Sequence, residues 1–194
     1  MFMSTPQNPS DLKTLLDIGI PAIKIGSDDC SNHDMLIPVR DAAAAHKIPV
    51  IWSIGMATRA EVLDTFELFR YVDQLPMVCT SQYPCYISEL RLLRGMTFSE
   101  WGFSDHTTYP SNAHLVALGA GACVFEKHFF VSTKIEDSAD DLMSLKEYVK
   151  EIREAEKSLG YPNPWKLSAR EKESRSKWKR FTGNKLRGEP RSGQ

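Results

Sequence analysis

Two short segments of the sequence share one pattern, an aromatic residue followed by two polar positions and a histidine. FSDH ends at His106 and FEKH ends at His128. Side chains alternate along a strand, so Ser104 and His106 share one face of the first segment, and Glu126 and His128 share one face of the second. If both strands open onto one pocket, two imidazoles and a carboxylate suit Mn, Fe, Co or Zn, with positions left for substrate or water. A hydrogen-bonded structural role for both histidines is the open alternative.

The first segment also contains the three residue types of a Ser-His-Asp hydrolase, as Ser104, Asp105 and His106. Such a relay needs residues that converge from separated positions, whereas alternation places Asp105 on the opposite face from the other two. Alternation likewise places Lys127 opposite its two neighbours in the second segment. The sequence has no Gly-x-Ser-x-Gly nucleophile turn either, so the pattern argues against a serine hydrolase.

Lys24 lies inside the apolar run AIKIGS, where a lysine requires a polar pocket or an acidic partner. Three interpretations stay open: a Schiff base as in a class I aldolase, a fixed charge that binds an anion, or an ion pair with Asp28 or Asp29. Small residues recur at the ends of the other runs and would suit a phosphate or carboxylate held by hydroxyls and backbone N–H groups. They are Thr5, Ser27, Ser53, Gly55, Thr80, Ser81 and Ser104.

These residues lie at the ends of six short β-rich runs that alternate with helix-like stretches at intervals of 20–29 residues. Such alternation predicts a parallel sheet. Because each run ends in polar residues, a barrel, whose strands all end at one shared site, is favoured over a doubly wound sheet. We therefore predict an α/β fold, an incomplete (β/α)8 barrel of the TIM type with about six β-α units. The runs are residues 2–6, 21–27, 49–55, 76–81, 101–106 and 122–129.

The helix-like stretches carry signals for their own ends. SDLKTLLDIG begins with the candidate cap Ser10 and stops at Gly19, and the stretch after the third run opens on Thr58-x-x-Glu61, the pattern of a capping box. The longest stretch, DLMSLKEYVKEIREAEKSLG, stops at Gly160. These signals predict helices that connect the successive strands.

Composition restricts the class of protein. The chain has 194 residues, of which 42% are hydrophobic and 25% charged, and no apolar run approaches the ~20 residues of a membrane span. The N-terminus lacks the features of a secretory signal. The cysteines Cys30, Cys79, Cys85 and Cys123 form no Cys-x-x-Cys pair, so we expect reduced thiols in a cytoplasmic protein without a membrane partner, with Cys79 and Cys123 buried.

Charge divides the chain into two parts. Residues 1–160 carry 14 Lys+Arg against 22 Asp+Glu, a net charge of −8, and residues 161–194 carry 10 against 3, a net charge of +7. We interpret residues 1–160 as a partial barrel domain and residues 161–194 as a basic C-terminal extension that is partly disordered. A solvated tail that folds back on an acidic body explains this charge better than a nucleic-acid partner does.

Six motifs, in order and spacing, resemble the N-acetylneuraminate (sialic acid) synthase family, which includes the legionaminate and pseudaminate synthases. The motifs are STP, KIGSDD, WSIGMAT, CTSQYP, FSDHT and FEKHF. The resemblance implies condensation of phosphoenolpyruvate with the open-chain aldehyde of an N-acetylated amino sugar, giving a nonulosonic acid and phosphate. It also implies a TIM barrel and a divalent metal cofactor, Mn²⁺ or Mg²⁺.

The resemblance assigns roles to single positions. His106 and His128 look like the metal ligands, Glu126 is similar to the acid beside metal and sugar, and Lys24 becomes an anion clamp; these four are the implied catalytic residues. A metal would polarise the aldehyde oxygen while the acid manages the addition of water. The implied substrate-binding residues are Thr5, Ser27, Asp29, Ser53, Gly55, Ser81, Tyr83, Ser104 and Asp137. Among them Ser81, Tyr83 and Asp137 resemble the positions that contact the amino sugar.

The sequence departs from the family at both ends. The first two strands of the family, and its C-terminal antifreeze-like domain that lends an arginine to the partner's active site, have no counterpart here. Six strands would leave two open sheet edges, so we expect a homo-oligomer such as a dimer, or a completing chain. The alternatives to a synthase are a truncated, non-catalytic or partner-completed barrel that binds a ligand or partner, and, less favoured, a class I aldolase acting through Lys24.

Overall fold

A computed structural model describes residues 1–90, 98–132, 139–160, 167–178, 181–182 and 185–186. The chain divides into two compact units, Met1–Ser158 and Leu159–Gln194. In the second unit, helix α6 (Ala169–Trp178) is followed by the antiparallel strand pair β8 (Phe181–Thr182) and β9 (Lys185–Leu186). No described helix is long and apolar enough to cross a membrane.

The first unit is built on a sheet of five parallel strands that lie side by side in sequence order. The strands are β1 (Ile23–Ile25), β2 (Val50–Ser53), β3 (Gln74–Val78), β4 (Gly102–Asp105) and β5 (Val124–Lys127). The helices are α1 (Pro9–Ile18), α2 (His33–His46), α3 (Arg59–Leu68), α4 (Ala113–Gly119) and α5 (Leu142–Ser158). A short parallel pair, β6 (Phe129–Phe130) with β7 (Asp140–Asp141), follows β5. The predicted α/β fold with a parallel sheet is confirmed.

One predicted strand, residues 2–6, is wrong, because the structure has no strand there. Pro6 has no N–H to donate to a sheet ladder, and Asn8 already caps α1. Five of the six predicted runs therefore supply the strands of the sheet.

Local capping explains where the helices begin and end. The cap of α1 is Asn8 and not the expected Ser10: the Asn8 side chain accepts hydrogen bonds from the backbone N–H groups of Ser10 and Asp11, both at 3.0 Å. Pro9 then takes the first helical position, which needs no N–H donor. Gly19 ends α1 at φ 82°, a conformation that glycine adopts without strain. The capping box of Thr58 and Glu61 at the start of α3 is confirmed.

The two faces of the sheet bury different side chains. The face toward the helices carries a hydrophobic core that includes Ile23, Ile25, Trp52 and Phe103, all fully buried. Alternation turns the residues between them, such as Lys24, to the opposite, concave face. The core thereby fixes which side chains lie over the C-terminal ends of the strands.

All four cysteines are free thiols, as expected. Cys79 is buried, but Cys123 is exposed, so its predicted burial is wrong. Cys123 directly precedes β5, an edge strand of the five-stranded sheet, so one side of it has no neighbouring strand in that sheet.

Candidate functional site

A cavity of about 510 Å³ lies on the concave face, at the C-terminal ends of the strands. Its lining draws on strands β1, β2, β4 and β5, on the segment that follows β3, and on the segment before α1. It brings together most of the predicted site residues: Thr5, Lys24, Ser27, Ser53, Ser81, Tyr83, Ser104, His106, Glu126 and His128. Residues from separate β-α units therefore converge on one site, as expected for strands of a barrel.

Lys24 is held by three acceptors inside this cavity. Its Nζ donates to the Ser53 hydroxyl at 2.8 Å and to the Ile25 carbonyl at 3.2 Å, and it lies 3.4 Å from Glu126 Oε1. Lys24 is on β1 and Glu126 is on β5, the two edge strands of the five-stranded sheet. An ion pair between the edge strands requires a sheet that curves around the cavity. The partner of Lys24 is thus Glu126, and not Asp28 or Asp29 as one interpretation of the sequence had it.

His106 has a defined protonation pattern. Its Nδ1 lies 2.8 Å from the Thr80 carbonyl oxygen, and since a carbonyl only accepts, Nδ1 carries the proton and Nε2 keeps its lone pair. Nε2 lies 3.4 Å from the Ser104 hydroxyl. Burial lowers the pKa of His106 below its ordinary value, although the hydrogen bond to Thr80 opposes this shift. A neutral imidazole with an unprotonated Nε2 is the form that binds metals.

His128 and Tyr83 complete an aromatic group around His106. The ring centroids of His106 and His128 are 5.3 Å apart, in an edge-on arrangement. The Tyr83 ring lies 4.3 Å from that of His106 and 5.8 Å from that of His128. Tyr83 is 52% exposed, so it covers the two imidazoles and still reaches solvent.

The donor set fits a divalent cation held by two imidazoles. Within the described residues, no group of three or more His, Cys, Asp or Glu side chains is placed to hold a metal, and Glu126 is paired with Lys24. Two nitrogen ligands leave most coordination positions to water or substrate oxygens. Because magnesium prefers oxygen ligands, this set suits Mn²⁺ better than Mg²⁺. The metal stays a prediction.

Gly55 lies behind the cavity lining, where three strand ends approach one another. A Cβ at this position would collide with the Ser81 hydroxyl, and it would lie 2.7 Å from both Cys79 Sγ and Ser27 Oγ. Ser27 Oγ and Cys79 Sγ are themselves 3.2 Å apart. Only a glycine lets these small polar groups meet.

The structure does not place the two remaining predicted site residues in the cavity. Asp29 does not line the cavity, and its carboxylate accepts a hydrogen bond at 2.7 Å from Asn32, within the turn before α2. Asp137 lies outside the described residues. Whether either binds substrate remains a prediction.

Four further residues line the cavity and were not among the predicted site residues: Gly26, Asp28, Met56 and Cys79. Asp28 and Cys79 lie just after strands β1 and β3, where predicted site residues also lie. This position in the sequence could have identified them. Met56 has φ 64°, a left-handed conformation that is uncommon outside glycine, and the sequence gives no sign of it.

Comparison with known proteins places these features in a family. The model of the NeuB family matches residues 1–163. The N,N'-diacetyllegionaminic acid synthase of Legionella pneumophila is 32% identical over 178 residues, covering 82% of this chain and 48% of that protein. The pseudaminic acid synthase of Helicobacter pylori is 30% identical over 175 residues, covering 84% of this chain and 50% of that protein.

A solved structure agrees in fold. The crystal structure of N-acetylneuraminic acid (sialic acid) synthetase from Leptospira borgpetersenii, in complex with citrate, superposes with a TM-score of 0.80 at 26% identity. The match covers 93% of this chain and 66% of that one, and it confirms the prediction of an incomplete barrel of the TIM type. The chain spans about half the length of the curated relatives it matches.

Proposed function

The chain belongs to the NeuB family, and from this premise we propose that it is a synthase of the sialic acid type. The reaction proposed is the condensation of phosphoenolpyruvate with the aldehyde of an N-acetylated amino sugar, which yields a nonulosonic acid and phosphate. The observation that supports it most is the joint placement, in one cavity, of an anion-binding group around Lys24 and an imidazole pair, His106 and His128.

Lys24 would bind the phosphate or carboxylate of phosphoenolpyruvate as a fixed charge. The hydroxyls of Ser27, Ser53 and Ser104 line the same cavity and would supply hydrogen bonds to the anion. The three acceptors around Lys24 Nζ match the three N–H bonds of an ammonium group. They argue against the class I aldolase alternative, because Schiff-base formation needs a neutral amine.

His106 and His128 would hold the divalent cation, which, when bound, polarises the aldehyde oxygen. The unprotonated Nε2 of His106 is oriented for this role by the hydrogen bond from Nδ1–H to Thr80. Glu126, 37% exposed at its side chain, can accept a proton from the water that adds to the former enol carbon. Tyr83 and Ser81 lie on the same cavity wall and would contact the sugar.

A second candidate is a barrel that functions only when another chain, or a second copy of this one, completes it. The observation in its favour is that β1 and β5 each pair with one neighbour only in the five-stranded sheet. This candidate predicts that the chain alone binds phosphoenolpyruvate or metal without turnover.

We also propose that the protein forms a dimer and is located in the cytoplasm. The four free cysteines accord with a reducing compartment.

The test is an incubation of the chain with phosphoenolpyruvate, Mn²⁺ and a panel of 2-acetamido and diacetamido hexoses. Phosphate release together with a product of the summed mass supports the synthase, and the variant His106→Ala should abolish it. Binding of Mn²⁺ or phosphoenolpyruvate in calorimetry without product would support the second candidate. Absence of both binding and turnover would contradict the two proposals together.

A further inference from the structure

Behind the cavity, on the helix-facing side of β4 and β5, lies a buried ion pair that no part of the proposed reaction uses. Lys127 Nζ is 3.4 Å from Asp140 Oδ2, and both side chains are only 3% exposed. Asp105, fully buried, lies opposite Lys127 in the register of the two strands. Burying two charges costs free energy, and a buried ion pair often adds little to the stability of a protein. Stability alone therefore does not explain why this pair is present.

The sheet ladder ends just before the two histidines. The last residues that pair between β4 and β5 are Asp105 and Lys127, and His106 and His128 each follow by one position. Strand pairing therefore does not fix the separation of the two imidazoles. Some other contact has to hold the chain at this point.

The Lys127–Asp140 pair provides such contacts at both histidines. Lys127 Nζ donates to the backbone carbonyl oxygens of Asp105, at 3.3 Å, and of Thr107, the residues immediately before and after His106. The backbone N–H of Asp140 donates to the His128 carbonyl at 3.1 Å. The Asp140 carboxylate also accepts the Tyr109 N–H at 3.0 Å, three residues beyond His106.

From these contacts we propose that Lys127 and Asp140 are positioning residues, which set the distance and orientation between His106 and His128. The inference rests on the proposed function in that the imidazole pair is taken to be the metal-binding group. An apolar pair of similar size would fill the same space but would remove the hydrogen bonds from Lys127 to the Asp105 and Thr107 carbonyls, and packing lacks their directionality. The ion pair on the helix-facing side thus helps to set the positions of the two histidines on the concave face.

The test compares Asp140→Asn and Lys127→Met with Thr65→Val. Asp140→Asn keeps the side-chain shape and the acceptor for Tyr109 but removes the charge. Thr65 is a matched control, because it is a buried polar residue on α3 whose hydroxyl donates to the Cys30 carbonyl, away from the histidines. If Lys127→Met does not fold, the result for Asp140→Asn alone decides whether the ion pair positions the histidines.

The first readout is the long-range ¹H–¹⁵N correlation spectrum of the imidazoles in the metal-free chain. We expect the wild type and Thr65→Val to show one His106 tautomer, with the proton on Nδ1, and Asp140→Asn to show exchange between tautomers. The second readout is Mn²⁺ affinity by electron paramagnetic resonance. Altered orientation of a ligand should weaken it about 10- to 100-fold in Asp140→Asn, and not in Thr65→Val.

Unchanged imidazole spectra and unchanged Mn²⁺ affinity in folded Asp140→Asn, with a melting temperature lowered as in Thr65→Val, would show a purely structural role and overturn the inference. If the wild type binds no Mn²⁺, the metal part of the proposed function fails, but the imidazole spectra still decide whether the pair positions the histidines.

Discussion

At the C-terminal ends of β4 and β5, both faces of the sheet carry polar side chains. The polar groups of the two faces differ in what they contact. On the concave face, Ser104, His106 and Glu126 border a cavity. On the helix-facing side, the Lys127 and Asp140 side chains are buried and contact each other and the backbone. Residue types alone do not separate the two faces, since each holds charged side chains. The difference shows that a polar residue becomes available for chemistry when its remaining hydrogen-bonding capacity faces open space.

The hydrophobic part of the helix-facing side should affect stability most. Phe103 is fully buried against α4, and Phe103→Ala should lower the free energy of unfolding by about 3–5 kcal/mol, because the cavity left behind is not refilled. Urea denaturation measures the change. Phosphoenolpyruvate affinity of the folded variant should stay within a few-fold of the wild type. A loss of binding larger than the loss of stability would contradict the separation of the two faces.

The charge on the concave face should affect binding and not stability. Lys24→Met keeps the aliphatic stem but removes the cation, so phosphoenolpyruvate affinity should fall by about 2–5 kcal/mol. Stability should change little, because the partner Glu126 is 37% exposed at its side chain and can be hydrated. Calorimetry and thermal melting of the same samples check both statements. The control is Lys13→Met, which removes an exposed surface ion pair with Asp17 and should leave affinity unchanged.

Close packing behind the cavity should have an intermediate effect. Gly55→Ala adds a methyl group that collides with the Ser81 hydroxyl and crowds Cys79 and Ser27, so these side chains must shift. We expect about a tenfold loss of phosphoenolpyruvate affinity, roughly 1.4 kcal/mol, measured by calorimetry. Gly119→Ala is a matched control on α4, where an added Cβ meets no atom within 4 Å. Equal losses in both variants would exclude the steric explanation.

The smallest effect should be a pH dependence from the helix-facing side. His114 is fully buried, with its Nε2 2.9 Å from Glu151, and burial lowers its pKa below the ordinary 6.5 despite this hydrogen bond. As pH falls, the unfolded chain therefore binds a proton at this histidine before the folded chain does. The free energy of unfolding should decrease as pH falls below about 6.5, and His114 should not lower it at higher pH. The slope is at most ~1.4 kcal/mol per pH unit for one group.

Urea denaturation between pH 7.5 and 5.5 measures this slope, with His114→Gln as the test variant. The wild type should lose stability over this range faster than His114→Gln. His33→Gln is the control, because His33 is an exposed residue paired with Asp64 and should not reduce the slope. If the free energy of unfolding changed equally with pH in the wild type and in His114→Gln, the pH dependence could not be assigned to His114.

Much of the fold followed from local signals in the sequence. The alternation of β-rich runs and helix-like stretches predicted the parallel sheet, and the capping box at Thr58 predicted the start of α3. The errors were also local. Asn8 and Ser10 are both good caps, and only the extended backbone at Asn8 decides between them. Residues 2–6 have strand-like composition, but Pro6 cannot donate to a ladder.

The candidate site was predictable in its residue types and less so in its contacts. The two-residue period of strands predicted that Ser104, His106, Glu126 and His128 face one side, and the cavity contains all four. The partner of Lys24 was not predictable, because Asp28 and Asp29 lie closer in sequence than Glu126. The roles of these residues in metal and substrate binding stay predictions.

Strand alternation and helix capping act over a few residues, so local sequence was enough to predict which side chains share a face and most of the segments that form helices and strands. The pairing of Lys24 with Glu126 follows from the folded chain alone, since that contact depends on the curvature of the sheet between its two edge strands. The same holds for Lys127 and Asp140, which meet because β7, the strand that contains Asp140, pairs with β6 just after β5. Such contacts join distant segments, and their geometry follows from the packing of the whole unit.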